Sequence, residues 1–260
     1  MQISSQNRIV LVVGDVHQDV ARIKRIVNAE QADAVVCTGD WFDSYAYDTD
    51  LDVTRTCNYL RQYIHTGNCF TVMGNHDLHY FYSHPDTVSS GYEPQKKELI
   101  REVLNDHWLS TRNKILWYVW VDDWLVTHAG VHPSFIPPQL NVYDKREVDR
   151  WMAESAHQAS SALIASMPHW FWAVGAKRQI APTDLKRKGG LIWLDFDDEF
   201  ETIPGLKQIV GHSSSSGIRG VAGVPNTVSF DRRDICVDCG LAQYLIINNG
   251  VVTVKQYVDL

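Results

Sequence analysis

Five short stretches of this 260-residue chain each close an apolar run with side chains able to ligate metals or move protons. They are Gly14-Asp15-Val16-His17, Gly39-Asp40-Trp41-Phe42-Asp43, Gly74-Asn75-His76-Asp77, Thr127-His128-Ala129-Gly130 and Val210-Gly211-His212. Taken singly each is a weak signal. An Asp-x-His after a strand is commonly a capping aspartate beside an incidental histidine, and Gly-Asp-x-x-Asp is commonly a turn leading into a helix. The specificity lies in the set, because every member ends an apolar run. If the runs are strands of one α/β layer system, their carboxyl ends share a rim, which is where such sheets bind ligands. Asp15, His17, Asp40, Asp43, Asn75, His76, Asp77, His128 and His212 would then meet.

Such a collection is unstable alone. Two carboxylates 4 Å apart repel by about 4 kcal/mol at an effective dielectric near 20. Divalent cations remove the repulsion. Mixed Asp, His and Asn donors suit Mn, Fe or Zn better than Ca, which prefers oxygen alone. A bridging carboxylate holds two metals ~3.5–4 Å apart, the spacing of two-metal phosphoryl chemistry.

The elements that must position these residues are legible from periodicity. Residues 8–13, 33–38 and 69–73 are short, Val- and Ile-rich or otherwise apolar runs ending at glycine, and read as buried strands. Residues 19–29 and 52–64 between them have helical spacing, so a parallel sheet with right-handed crossovers is expected. A helix is predicted at 95–104, a hairpin from 115–121 and 124–127 around Asp122-Asp123, and a long amphipathic helix at 146–166. Later strands are predicted at 191–196, 207–210, 235–237, 243–247 and 251–257, with Asn249-Gly250 as a tight hairpin turn.

Composition narrows the class. Apolar residues make up 45 % and charged residues 21 %, which excludes disordered, collagenous and disulfide-scaffold chains. A formal net charge of −7 argues against broad nucleic-acid binding, so an anionic partner would need something locally positive. No apolar stretch reaches membrane-spanning length, so no membrane partner is expected. The first residues lack a charged segment followed by an apolar one, which predicts a cytoplasmic location. Among the five cysteines, Cys236-Val-Asp-Cys239 has the spacing of half a zinc site. No second pair accompanies it, and packing is the better reading. No glycine-rich phosphate loop or associated lysine is present, which disfavours ATP-driven transfer.

In this order the five stretches resemble the pattern of the calcineurin-like metallophosphoesterase superfamily over residues 15–212. Thr-His128-Ala-Gly and Val-Gly-His212-Ser are similar to the branch of serine/threonine protein phosphatases, bacteriophage phosphatases and symmetrical diadenosine tetraphosphatases. Gly74-Asn-His-Asp-Leu-His79 is similar to the last of these. The resemblance implies an α/β fold, a four-layer αββα sandwich of two mixed sheets with a dinuclear metal site at the rim. It implies one domain over residues 1–260, with a mostly helical insertion at about 133–190 shaping the pocket. Asp15, His17 and Asp40 would hold one metal, and Asp40, Asn75, His128 and His212 the other. Mn is the favoured metal, with Fe or Zn as alternatives. A metal-bridging hydroxide would attack phosphorus, and His76, oriented by Asp43, would protonate the leaving oxygen.

The sequence departs from the protein-phosphatase pattern at Ser44, where that branch carries an arginine that clamps phosphate. Asn75, His76, Arg219 and the basic stretch Lys186–Lys188 are candidates for that task, although solvated surface charge is the blander reading of the basic ones. His79 and His132 would line the pocket or lie at the surface. Trp170 and Trp172 would stack a nucleobase or pack an insertion. The expected activity is hydrolysis of a phosphomonoester, with a phosphorylated small molecule, nucleotide or phosphoprotein as substrate. The alternatives are hydrolysis of a dinucleoside polyphosphate or nucleotide phosphodiester, and a non-catalytic scaffold that retains the fold.

Overall fold

In chain order the elements are β1 (Gln2–Ile3), β2 (Ile9–Val13), α1 (Val20–Glu30), β3 (Ala34–Cys37), α2 (Asp50–His65), β4 (Cys69–Thr71), α3 (Asn75–Phe81), α4 (Pro94–Leu104), α5 (Trp108–Lys114), β5 (Val119–Val121), β6 (Trp124–Val126), α6 (Lys145–Ala165), β7 (Lys207–Val210), β8 (Arg219–Gly220), β9 (Asp234–Cys236), β10 (Gln243–Asn248) and β11 (Val251–Gln256). They come from a computed structural model that describes residues 1–46, 48–175, 188–220 and 234–257. Lys186 and Arg187 of the basic stretch lie outside the described residues.

Two mixed sheets pack face to face. One has the order β11-β10-β2-β3-β4 and the other β1-β5-β6-β7-β9-β8. β2, β3 and β4 are parallel, as the crossover helices require, and β10 joins β2 antiparallel. β6, β7 and β9 are parallel in the second sheet, β5 is antiparallel to β6 but parallel to β1, and β8 is antiparallel to β9. Strand alternation builds the layers. Val10, Val12, Ala34 and Val36 point to the second sheet and meet Val119, Val121, Val126 and Ile209. The intervening Leu11, Val13, Val35 and Cys37 point outward to Ile23, Ile26, Val53, Cys57 and Leu60 of α1 and α2. Each buried Val or Leu stabilises the packing by roughly 1.5–3 kcal/mol. On the far side α6 lies over the second sheet, and Trp120 Nε1 donates to Asp149 of α6 at 2.9 Å. The result is the expected αββα order.

Local signals account for most boundaries. Asp19 caps α1 by accepting from Arg22 N at 3.1 Å. Thr49 and Asp52 form a capping box that starts α2. Asn249 and Gly250 both take positive φ, 49° and 75°, and join β10 to β11 as predicted.

The differences are informative. Residues 191–196 are not a strand but a buried turn, in which Trp193 N and Leu194 N both bond to Gly190 O. Hydrophobicity marked that run for burial without distinguishing strand from coil. α3 and α5 were not expected. α5 occupies 108–114, and the predicted first hairpin strand at 115–121 is shortened to Val119–Val121, with Leu116 as a lone bridge to Val72. Among the described residues no helix is long and apolar enough to cross a membrane.

Two glycines at strand ends are dictated by close approach. A Cβ on Gly74 would lie 2.1 Å from Asp40 Oδ1, and one on Gly211 would lie 2.0 Å from Asp15 Oδ1. The carboxylates rest directly on bare backbone. Gly211→Ala is therefore expected to lower stability by about 1–3 kcal/mol through overpacking. For a chain of this size that is a fall in Tm of about 2–12 °C. A thermal melt with unchanged Tm would contradict the packing described.

Candidate metal centre and proton donor

The sequence-predicted residues converge. β2 leads into Asp15 and His17, β3 into Asp40 and Asp43, β4 and α3 into Asn75 and His76, β6 into His128, and β7 into His212. Backbone bonds tie the loops together: His17 N donates to Asp40 O at 2.7 Å and Gly211 N to His128 O at 2.6 Å. His17, Asp40, Asp43 and His212 have positive φ, between 41° and 68°. Non-glycine residues persist there only where the surroundings enforce it, and such strain collects at functional sites.

Two overlapping groups have the geometry to hold ions: Asp15, His17 and Asp40, and Asp40, His128 and His212. Asp40 is common to both. Its Oδ1 accepts from His76 N at 2.9 Å, while its Oδ2 lies 3.8 Å from His17 Nε2 and 3.5 Å from His128 Nε2. Backbone carbonyls set the tautomers. His128 Nδ1 donates to Thr38 O at 2.8 Å, and His17 Nδ1 faces the carbonyls of Phe42 and Asp43 at 3.2 and 3.1 Å. Both Nε2 atoms therefore carry lone pairs aimed inward. Asn75 Oδ1, also an acceptor, lies 2.9 Å from both His128 Nε2 and His212 Nδ1. Acceptors facing acceptors at such distances are the donor set of a cation, so these residues fit a metal pair.

The charges agree. Asp15 is buried and its carboxyl is pushed well above the usual range, first by burial, then by the charges of Asp238 and Asp40. Its oxygens accept from Thr38 Oγ1 at 2.6 Å and His212 N at 2.9 Å. Asp40 is held below the usual range despite burial, because His128, His76 and His17 surround it. Burial pushes His128 down, towards the neutral imidazole that ligates metals.

His76 is arranged differently. Its Nδ1 lies 2.9 Å from Asp43 Oδ2, and its ring stands 5.4 Å from that of His17. Burial lowers its proton affinity, but Asp40 and the bond to Asp43 outweigh that and raise it above the ordinary histidine value. Asp43 also meets His79 Nε2 at 3.0 Å, Lys96 Nζ at 2.9 Å and the Tyr80 hydroxyl. These four donors hold its carboxyl far below the usual range against the cost of burial. Asp77 accepts from Trp41 N and Gly74 N, which fixes the start of α3. Burial and the charge of Asp40 push it up to about 7.

Other candidates make contacts of their own. Arg219 makes a two-pronged pair with Asp197 at 2.9 and 2.8 Å and donates to Ser213 O at 2.6 Å. His132 is buried beside Glu201, with Nε2 3.3 Å from the carboxylate. Trp170 is sandwiched between Trp151, 5.6 Å away at 2°, and Phe135, 5.0 Å away at 20°. Trp172 is buried. Both tryptophans pack this segment, as the blander reading expected. All five cysteines are free and buried, as packing residues would be.

Asp238, Tyr80 and Lys96 were missed. Asp238 follows β9 and obeys the strand-end rule, but its place between two cysteines drew attention to the thiols. His76, His79 and Tyr80 share one face of α3, a relation invisible until that helix is recognised. Lys96 has no local signal, because it lies 53 residues from Asp43 in sequence.

Comparison with known proteins agrees with this geometry. The sequence profile of the calcineurin-like phosphoesterase family matches residues 9–214. A search of curated proteins finds no match. Among solved structures, the cold-active protein-tyrosine phosphatase of the psychrophile Shewanella sp. superposes with a TM-score of 0.58 at 15 % identity, covering 98 % of this chain and 79 % of that one. A protein serine/threonine phosphatase from Saccharomyces cerevisiae does so with a TM-score of 0.50 at 13 % identity, covering 100 % and 84 %. At these identities the structural likeness speaks to the fold. With the profile match over most of its length, the chain belongs to the calcineurin-like phosphoesterase family and is a metal-dependent hydrolase of phosphoric esters.

Proposed function

We propose that the chain is a phosphomonoesterase, with phosphoproteins among its substrates, working with two metal ions of which Mn suits the donors best and Fe or Zn are alternatives. Asp15, His17 and Asp40 would hold one ion, and Asp40, Asn75, His128 and His212 the other. The observation that carries this reading is the position of Asp40 Oδ2 between two imidazole lone pairs, with His76 alongside but tied to Asp43. The names of the two structural neighbours, both protein phosphatases, favour a phosphomonoester.

Held by these residues, a metal pair would supply an activated water for in-line attack and charge to draw on the phosphoryl oxygens. The chain supplies the rest. His76 donates its Nε2 proton to the leaving oxygen, and Asp43 keeps its other nitrogen protonated and the ring oriented. The buried Asn75 Nδ2, which has no hydrogen-bond partner among the described residues, is a donor for a phosphoryl oxygen. Arg219 gives two nitrogens to Asp197, and its Nη1, with no hydrogen-bond partner among the described residues, would be the one to meet an anion. We also read residues 133–190 as an insertion into a single domain, supported by α6 and the short 3-10 turns at Pro133–Phe135 and Trp170–Trp172.

His76→Ala is expected to retain both metals and lose about 10²–10⁴ in rate. Metal analysis that found the ions gone from this variant would overturn the assignment. Asp40→Asn should empty both positions and abolish turnover, because Asp40 belongs to both ligand groups. Substrate class is tested with Mn added to p-nitrophenyl phosphate, a phosphopeptide and diadenosine tetraphosphate. Cleavage of the monoesters is expected, and cleavage of the dinucleotide alone would replace this reading with the alternative.

A further inference from the structure

The Asp43 carboxylate accepts hydrogen bonds on both oxygens, from His76 on one and from Tyr80 and Lys96 on the other. Oδ2 meets His76 Nδ1 at 2.9 Å and His79 Nε2 at 3.0 Å. Oδ1 accepts from Lys96 Nζ at 2.9 Å and from the Tyr80 hydroxyl. With donors bonded on both oxygens, the group is held against rotation. Lys96 comes from the first turn of α4, which packs on α2, and only 6 % of it is exposed. A buried ammonium is costly unless it is paired and hydrogen-bonded. Its second partner, Asp48 at 2.8 Å, lies in the loop between β3 and α2 and is partly exposed. One carboxylate would have sufficed to neutralise it. With Asp48 supplying that charge, the bond to Asp43 orients without discharging.

We propose that Lys96 is a positioning residue for phosphoester hydrolysis: through Oδ1 it locks the Asp43 carboxylate so that Oδ2 holds His76 against the leaving oxygen, while Asp48 cancels the ammonium's charge. This rests on the reading above that His76 donates the proton. A lysine that merely anchored α4 would serve every substrate equally. A lysine acting through His76 matters only where the leaving group needs a proton.

The test compares kcat for ethyl phosphate, whose alkoxide must be protonated, with kcat for p-nitrophenyl phosphate, whose phenolate leaves unaided. Wild type, Lys96→Met, Asp48→Asn and His76→Ala are measured together with their metal contents. Lys96→Met should lose about 10- to 100-fold on ethyl phosphate, the scale of a small misplacement of a catalytic group, with p-nitrophenyl phosphate within about 3-fold and metal unchanged. Asp48→Asn alters a surface partner and tests the proposal even where Lys96→Met fails to fold. It should lose activity selectively on ethyl phosphate, because the uncancelled ammonium then competes with His76 for Asp43. Equal losses on both esters, or no loss, in the folded variants would overturn the proposal. If His76→Ala discriminates between the esters and the Lys96 and Asp48 variants do not, the role of Lys96 alone falls. If His76→Ala does not discriminate, the proton-donor reading falls and takes this one with it.

Discussion

The structure depends on one electrostatic constraint, the burial of several carboxylates at a single sheet rim. Asp15, Asp40 and Asp238 are each almost fully buried, and each raises the cost of ionising Asp15 or is raised in turn. Like charges brought together in a poorly solvated place push one another towards the neutral form or apart. Cations resolve this, and the surrounding imidazoles and the Asn75 amide oxygen complete a donor set that suits them. Much of the local backbone follows from the same demand. The glycines before these residues leave room for carboxylates to rest on the chain, and four of the polar residues accept left-handed backbone to reach inward.

The histidines divide by what their second nitrogen touches. His17 and His128 face backbone carbonyls, which leaves a lone pair on the inward nitrogen. His76 faces a carboxylate, which favours its protonated form. One amino-acid type thus takes two chemical roles a few ångströms apart, and the difference is set by neighbours from other strands. In that setting Asp43 is the hinge between the metal rim and α3 and α4, since its donors come from both helices.

The reach of sequence reasoning follows the range of the interaction. β2, β3 and β4 were legible because parallel strands buried on both faces are nearly continuous apolar runs, and their polar ends stand out. The β10–β11 hairpin was legible because Asn-Gly has a conformational preference of its own. Residues 191–196 failed because their burial is satisfied by turn bonds to Gly190 and by Phe171, partners that apolar patterning does not encode. Trp170 packs against Trp151 and Phe135, as the blander reading held, and partners this far away in sequence are a tertiary fact.

By itself the sequence determined which chemistry was available. Asp, His and Asn at the ends of apolar runs specify a metal rim and an α/β sandwich to carry it, since strand periodicity and backbone turn preferences are local properties. Only the tertiary structure decided how that chemistry is distributed. Which oxygen of Asp40 faces two imidazoles, which histidine meets a carboxylate and that Lys96 reaches Asp43 are settled by packing between elements far apart along the chain. The physical reason is that tautomer, charge and rotamer respond to whatever lies within a few ångströms, and those neighbours are chosen by the fold.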